Sequence, residues 1–234
     1  MKVFILTGTS RGLGFEMCSR LIQCGHRIIS ISRTAHDELE QLAAQHRVPF
    51  HFLKYDLQQV EGISDVMQGI LEHMPVEHIK SITLINNSAQ ITPLGSIQLY
   101  SPEDIIRNIQ VNFTAPVLLT QLLLKYTEHW NIHRNIVNIS SASAHYAAPG
   151  MSMYCASKAA IHMFTCCIQL ENHKDLSIYT IDPGMMDTTL QMSARNEKRL
   201  SIAPLFREAK EKGELRAPGE VAEEIVEKLL TMTI

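Results

Sequence analysis

A chain of 234 residues with 45% hydrophobic and 19% charged content can bury a sizeable core as one domain and lacks the apolar-poor, charge-rich composition of disorder. Its 21 basic and 24 acidic side chains give a formal net charge of −3, so the basic excess that drives binding to nucleic acid or anionic membranes is missing and neither partner is expected. Five cysteines, an odd number with no C-x-x-C spacing, suggest neither a disulfide framework nor a cysteine zinc site, and no metal is expected.

Val3 to Leu6 reads as a short buried strand. It is shorter than the apolar core of a signal peptide, and no apolar run approaches the ~18 to 20 residues of a membrane span, so the expected location is cytoplasmic. The strand runs into Thr7-Gly8-Thr9-Ser10-Arg11-Gly12-Leu13-Gly14, after which Phe15 to Cys24 has helical spacing and Gly25 stops it. Arg27 to Ser32 predicts a second strand, Leu39 to Ala44 a helix, Phe50 to Tyr55 a third strand and Val60 to Glu72 a helix. Ser81 to Ile85 predicts a fourth strand, and Ser101-Pro102-Glu103 opens a long helix towards Trp130. Asn135 to Ile139 is a fifth strand, Ser152 to Asn172 a helix and Ser177 to Ile181 a sixth strand. Strands alternating with helices predict an α/β fold, a single doubly wound Rossmann domain whose mostly parallel sheet carries helices on both faces. Residues 187–216 break the alternation. Their charge-rich stretch from Gln191 to Arg216 lacks a strand pattern and is expected to form a helical excursion, a substrate lid, before a last helix from Pro218 to Leu230.

Gly8, Gly12 and Gly14 sit where a strand turns into a helix. Glycines there let the backbone approach a pyrophosphate, and the helix start presents free N–H groups and its positive dipole end. Ser10, Arg11 and Leu13 belong to the same turn. The spacing is G-x-x-x-G-x-G, not the commoner G-x-G-x-x-G. The residues also read Gly8-Thr9-Ser10-Arg11-Gly12, the G-x-S-x-G elbow of serine hydrolases. That elbow needs earlier strands to supply an oxyanion-hole loop, and only seven residues precede it here. Nineteen residues after Gly14 stands Arg33, where an NAD-specific protein would place a carboxylate on the ribose 2′-hydroxyl. A guanidinium suits a 2′-phosphate, so NADP(H) is the expected cofactor, with Arg11 as a second cation.

Tyr154 and Lys158 stand four apart on a predicted helix, so one face can carry both. A nearby ammonium favours phenolate, and Lys158 is expected to lower the Tyr154 pKa from its reference of about 10. A tyrosine tuned in this way can hand a proton to a carbonyl under reduction. His129 and His133 have a metal-compatible spacing, but no third ligand is evident, and compensation of a helix dipole is the plainer reading.

Taken together, Thr7-Gly8-x-x-x-Gly12-x-Gly14, Asp56 after the third strand, Asn86-Asn87-Ser88-Ala89 after the fourth, Asn112, Ser141 thirteen residues before Tyr154, Tyr154-x-x-x-Lys158 and Pro183-Gly184-x-x-x-Thr188 resemble the short-chain dehydrogenases/reductases in kind and order over nearly the whole chain. The resemblance implies an enzyme in which Tyr154 is the general acid, Ser141 holds the substrate carbonyl oxygen, Lys158 binds the nicotinamide ribose and Asn112 holds a water that links Lys158 to solvent. It also implies that Asp56, with Leu57 beside it, meets the adenine, that Asn87 lines the cofactor cleft, and that Pro183, Gly184 and Thr188 meet the nicotinamide end. Helix capping is the plainer alternative for Asp56 and Asn112. Asn86-Asn87-Ser88-Ala89 replaces the family's usual Asn-Asn-Ala-Gly, and the family usually adds a seventh strand and a tail beyond Thr231-Met232-Thr233-Ile234.

Pro183-Gly184-Met185-Met186-Asp187-Thr188 and Ala217-Pro218-Gly219-Glu220-Val221-Ala222 resemble most the sepiapterin-reductase and benzil-reductase branch, which implies an NADPH-dependent carbonyl reductase of hydrophobic diketones. A pterin side-chain or 3-oxoacyl reductase is the alternative within the class, and a non-catalytic NADP-sensing protein the alternative outside it. Tyr146, Met151, Met185, Met186 and Met192 are the expected substrate pocket, since thioether chains are apolar and adaptable. The wide apolar arcs of Ala115 to Leu124 and Ala159 to Leu170 predict a homodimer, because helices at these positions pack across a subunit interface in the resembling family.

Overall fold

Six short apolar runs become strands because each is too short to form a stable helix, and the four central ones are buried on both faces. A computed structural model describes residues 1–72 and 74–231. β1 (Lys2–Thr7), β2 (Arg27–Ser32), β3 (Phe50–Lys54), β4 (Ser81–Asn86), β5 (His133–Ile139) and β6 (Leu176–Ile181) form one parallel sheet in the order β3-β2-β1-β4-β5-β6. The chain starts mid-sheet, winds outward to β3, then crosses to β4. The strand order therefore reverses between β1 and β4, and in open α/β sheets ligands bind at the carboxyl ends of such a switch point. The comparison with the family's seventh strand concerns 232–234, which lie outside the described residues.

Alternation along each strand feeds two cores. Val3 and Ile5 join Ile82, Leu84 and Ile136 under α3 (Ile63–Glu72) and α5 (Ala115–Tyr126). Phe4 and Leu6 join Ile28, Ile85 and Val137 under α1 (Gly12–Gln23), α2 (Asp37–His46) and α9 (Pro218–Thr231). Each fully buried side chain of this kind contributes roughly 1.5–3 kcal/mol. Leu21→Ala, at a position with no exposed surface, would cost about 2–5 kcal/mol.

Three expectations change in detail. The helix expected from Val60 starts as a short 3₁₀ turn, Val60–Gly62, before α3. The long helix from Pro102 is α4 (Pro102–Ile109), a π turn (Gln110–Thr114) and α5. Ser101 caps it, its hydroxyl accepting from the Asp104 N–H at 3.1 Å. It ends at Tyr126, not near Trp130, because the Thr127 hydroxyl donates to the Leu123 carbonyl at 2.6 Å and closes the last turn. His129 is thus beyond the helix and His133 opens β5, bonded to the Ser177 hydroxyl at 2.9 Å, so a helix-dipole role for the pair is corrected.

The charge-rich stretch folds as α7 (Thr189–Asn196) and α8 (Ala203–Glu211). It leaves and returns at one point, where the Asp187 N–H donates to the Arg216 carbonyl at 3.0 Å and the Arg216 N–H to the Met185 carbonyl at 2.9 Å. The Asp187 carboxylate binds Arg195 at 2.9 Å and also Lys210, and these two partners hold it below the ordinary carboxylate pKa. α6 (Ser152–Leu170) carries the predicted Tyr/Lys pair beside β5 and β6.

Candidate active site

The loops after all six strands converge at the carboxyl edge of the sheet on a cleft of about 470 Å³. At its β1 end the three glycines have separate reasons. Gly8 and Gly12 adopt φ of +72° and +58°, which side chains resist. Gly14 is conventional in backbone, but a Cβ there would lie 2.1 Å from the Gly8 carbonyl oxygen and 2.4 Å from Asn87 Nδ2. At these three positions the turn therefore presents bare backbone. The Thr7 hydroxyl accepts from the N–H groups of Asn87 at 2.9 Å and Ser88 at 3.0 Å, and Asn87 Nδ2 donates to the carbonyls of Thr7 at 3.0 Å and Gly8 at 3.1 Å. The tips of β1 and β4 are locked together in this way.

Gly8, Ser10, Arg11, Gly12, Leu13, Gly14, Arg33, Asp56, Leu57, Asn87, Pro183, Gly184 and Thr188 all line the cleft. Arg11 and Arg33 are exposed there, and among the described residues neither has a carboxylate partner. Asp56 also caps its own turn, Oδ1 accepting from the Gln58 N–H at 3.1 Å. Thr188 caps α7, its hydroxyl accepting from the Gln191 N–H at 3.3 Å. A glycine-rich turn at the start of α1, with no acidic residue in the helix's first turn and the guanidiniums of Arg11 and Arg33 beside the cleft, fits the phosphates of a dinucleotide.

At the β5 end, α6 brings Tyr154 and Lys158 together, with the Lys158 Nζ 5.7 Å from the centre of the Tyr154 ring. The Ser141 hydroxyl bonds the phenol and is itself held by the Ser143 N–H at 3.2 Å. Tyr154 is 7% exposed. Its pKa is pushed up to about 12, chiefly by burial; the Ser141 bond opposes this, while Asp182 and Cys155 add to it. The phenol's pKa thus lies above its reference, not below it as expected from Lys158, because burial penalises the phenolate more than any other influence on it. Lys158 is itself lowered to about 8 by burial, against the pull of Asp182. Its Nζ donates to the Ile139 carbonyl at 2.7 Å, its one hydrogen bond among the described residues, which leaves two donors for the hydroxyls of a bound sugar.

Two expected site residues are not on the cleft. Asn112 sits in the π turn behind it, 2% exposed, with its amide spent on Gln90, Asn108 and Ser157. Met192 faces away and is 40% exposed. On α7 it is Leu190, Gln191 and Ala194 that face inward, and each step along the helix turns the side chain by about 100°. Tyr146, Met151, Met185 and Met186 do line the cleft, with Tyr146 at its rim. The sequence reading missed Asp182, whose carboxylate accepts from the Gly184 N–H at 2.9 Å, and Ile91, Ile202 and Phe206. Asp182 could have been found from its place directly before Pro183-Gly184. Ile202 and Phe206 carry no such signal in a charged segment.

The short chain dehydrogenase family profile matches residues 2–199, and the chain belongs to that family of nicotinamide-dependent oxidoreductases. Among its relatives, the benzil reductase ((S)-benzoin forming) of Bacillus cereus is 33% identical over 230 residues, 96% of this chain and 92% of the relative. The sepiapterin reductase of Xenopus tropicalis is 28% identical over 224 residues, 90% of this chain and 84% of the relative. The chain thus falls in the benzil- and sepiapterin-reductase-like branch, and these relatives support a carbonyl reductase. In fold, the crystal structure of the KRED1-Pglu enzyme superposes with a TM-score of 0.84 at 21% identity, covering 100% of this chain and 97% of that one. No described helix is long and apolar enough to cross a membrane. Among the described residues no group of three or more His, Cys, Asp or Glu is placed to hold a metal ion.

Proposed function

We propose that this protein is an NADPH-dependent reductase that reduces one carbonyl of a hydrophobic vicinal diketone to an α-hydroxy ketone. The observation that carries this reading is the wall beside Tyr154 and Ser141, built from Ile91, Met151, Leu190, Ala194, Ile202 and Phe206. Apart from Lys158, the cations lining the cleft are Arg11 and Arg33, and Arg33 stands three strands from β5, roughly 14 Å across the sheet. A carboxylate substrate would find no partner at the reacting end, whereas aryl or alkyl groups would find an apolar surface. The similarity to benzil reductases points the same way. Residues 187–216, which supply much of that wall, act as the substrate lid.

The cofactor would supply a hydride to the carbonyl carbon. Arg33 and Arg11 pair its 2′-phosphate, the Gly8–Gly14 turn takes the pyrophosphate, and Lys158 takes the ribose hydroxyls. Tyr154 gives its phenolic proton to the carbonyl oxygen as that oxygen gains the electron pair of the C=O π bond, and Ser141 donates a hydrogen bond to the same oxygen. A phenol with a pKa near 12 is protonated at neutral pH, the form that reduction requires. The Lys158 ammonium then stabilises the phenolate left behind. Asn112 acts from behind the cleft.

Two further features belong to this reading. Met163 and Leu170, seven apart on α6, are more than half exposed, and this apolar stripe is where a second copy would pack into a homodimer, whereas Ala115, Leu119, Leu122 and Leu123 of α5, expected at the same interface, are buried in the core of the monomer. All five cysteines are free thiols, which supports a reducing, cytoplasmic location. The test is kcat/KM with NADPH for benzil and 1-phenyl-1,2-propanedione against sepiapterin and 3-oxoacyl thioesters. The diketones are expected to lead, and a clear preference for pterin or thioester would overturn the substrate assignment while leaving the reductase intact.

A further inference from the structure

The segment that leaves β4 forms one wall of the cleft through Ser88, Ala89, Gln90 and Ile91. It is not a strand, so its peptide groups need partners other than a ladder. Two buried asparagines of the helix behind it supply them. Asn112 grips Gln90 at both ends, its Oδ1 accepting from the Gln90 N–H at 2.8 Å and its Nδ2 donating to the Gln90 carbonyl at 2.8 Å. Asn108, with no exposed surface, donates from Nδ2 to the carbonyls of Gln90 at 3.0 Å and Thr92 at 2.7 Å. Its Oδ1 accepts from Asn112 Nδ2 at 3.1 Å.

Asn112 Nδ2 therefore has two hydrogens and three acceptors within reach: Gln90 O, Asn108 Oδ1 and, at 3.1 Å, Ser157 Oγ. The oxygen of Asn108 helps to fix the plane of that amide and so which of its atoms faces Gln90. Ser157 in turn donates to the Tyr154 carbonyl at 3.0 Å. A continuous chain of bonds thus ties the cleft wall to the helix that carries Tyr154 and Lys158. Asn108 does not itself line the cleft, so any effect it has on chemistry passes through its neighbours.

We propose that Asn108 is a positioning residue of the reductase, holding Asn112 and the Gln90–Thr92 wall in register with Tyr154. This rests on the reading that Tyr154 is the proton donor. Asn108→Leu removes the donors and the acceptor; kcat is expected to fall about tenfold to a hundredfold while NADPH affinity stays within about twofold. Asn108→Asp keeps the shape but, when ionised, cannot donate to either carbonyl. Burial favours its protonated form, which can donate once, so its kcat relative to wild type should rise as pH is lowered from about 8 to about 6. A lower melting temperature with unchanged kcat per folded enzyme in the leucine variant, or a flat pH ratio in the aspartate variant, would overturn the proposal. If the leucine variant does not fold, the aspartate ratio decides. If the wild type reduces no carbonyl with either cofactor, the proton-donor reading fails separately. Hydrogen exchange at the Gln90 amide then decides the positioning role in the variant that folds: lost protection supports it and unchanged protection overturns it.

Discussion

The two ends of the cleft are made in different ways. The β1–β2 end is backbone and fixed charge: two glycines at positive φ, a third pressed against the Gly8 carbonyl, and two arginines on consecutive loops that have no carboxylate partner among the described residues. The β5–β6 end is side chains drawn from distant stretches, with Ser141 from a strand tip, Tyr154 and Lys158 from α6, and Ile202 and Phe206 from the excursion. The first end can hold one kind of ligand, because a backbone cradle and a guanidinium pair recognise phosphate wherever they occur. The second end can be retuned by changing any one side chain while the first stays as it is. This is how one fold serves many substrates.

The sharpest way to separate the ends is Tyr154→Phe. It should lose about 10² to 10⁴ in kcat, the usual worth of a general acid, and keep NADPH binding, because the ring remains and only the hydroxyl goes. Turnover within about threefold of wild type for a substrate whose chemistry is rate-limiting would remove the proton-donor role.

Arg33→Asp attacks the other end. It should weaken NADPH by about ten- to a hundredfold, the scale of lost charged hydrogen bonds, and invert the preference towards NADH. Fluorescence titration with each cofactor measures this, and equal affinities in the wild type would falsify the 2′-phosphate assignment. The kcat for the better cofactor should change little, since Arg33 is far from Tyr154.

The pH profile tests the junction. Lys158 titrates near 8 in the free enzyme; below that it is an ammonium, and above it the charge beside Tyr154 is lost. kcat/KM should fall about tenfold per pH unit past that point. Asp182→Asn removes the carboxylate that favours the ammonium, so the fall should begin at lower pH. Stability has the opposite sign. The lysine's folded pKa lies below its unfolded value of about 10.4, so the unfolded chain binds more protons between about pH 8 and about pH 10. The wild type should gain stability relative to Lys158→Met over that window, as read by melting temperature. A profile flat to pH 10 would remove Lys158 from the catalytic step.

Phe206→Ala is the mildest change. It widens the apolar wall and should raise KM for benzil roughly five- to tenfold, with little effect on a small diketone such as butane-2,3-dione or on NADPH. An equal effect on both diketones would mean that Phe206 braces α8 and does not meet substrate.

What the sequence by itself determined was what short-range pattern encodes. Runs such as Val3 to Leu6 and Ile136 to Ile139 mark buried strands, the Gly8–Gly14 turn marks its own helix start, and four-residue spacing puts Tyr154 and Lys158 on one face. Each is a matter of backbone sterics or helical period and needs no knowledge of distant residues. Tertiary structure alone decided what depends on neighbours far along the chain. Tyr154 gains a raised pKa because residues from several elements bury it, an effect that its spacing from Lys158 does not reveal. Asn112 lies behind the cleft because a π turn and Asn108 turn its amide onto Gln90, while Met192 points outward and Phe206 inward because α7 and α8 fold back from the Asp187–Arg216 junction. Burial and electrostatic environment are sums over the whole fold, so local spacing can nominate a chemical group but cannot fix its proton affinity or the direction in which it points.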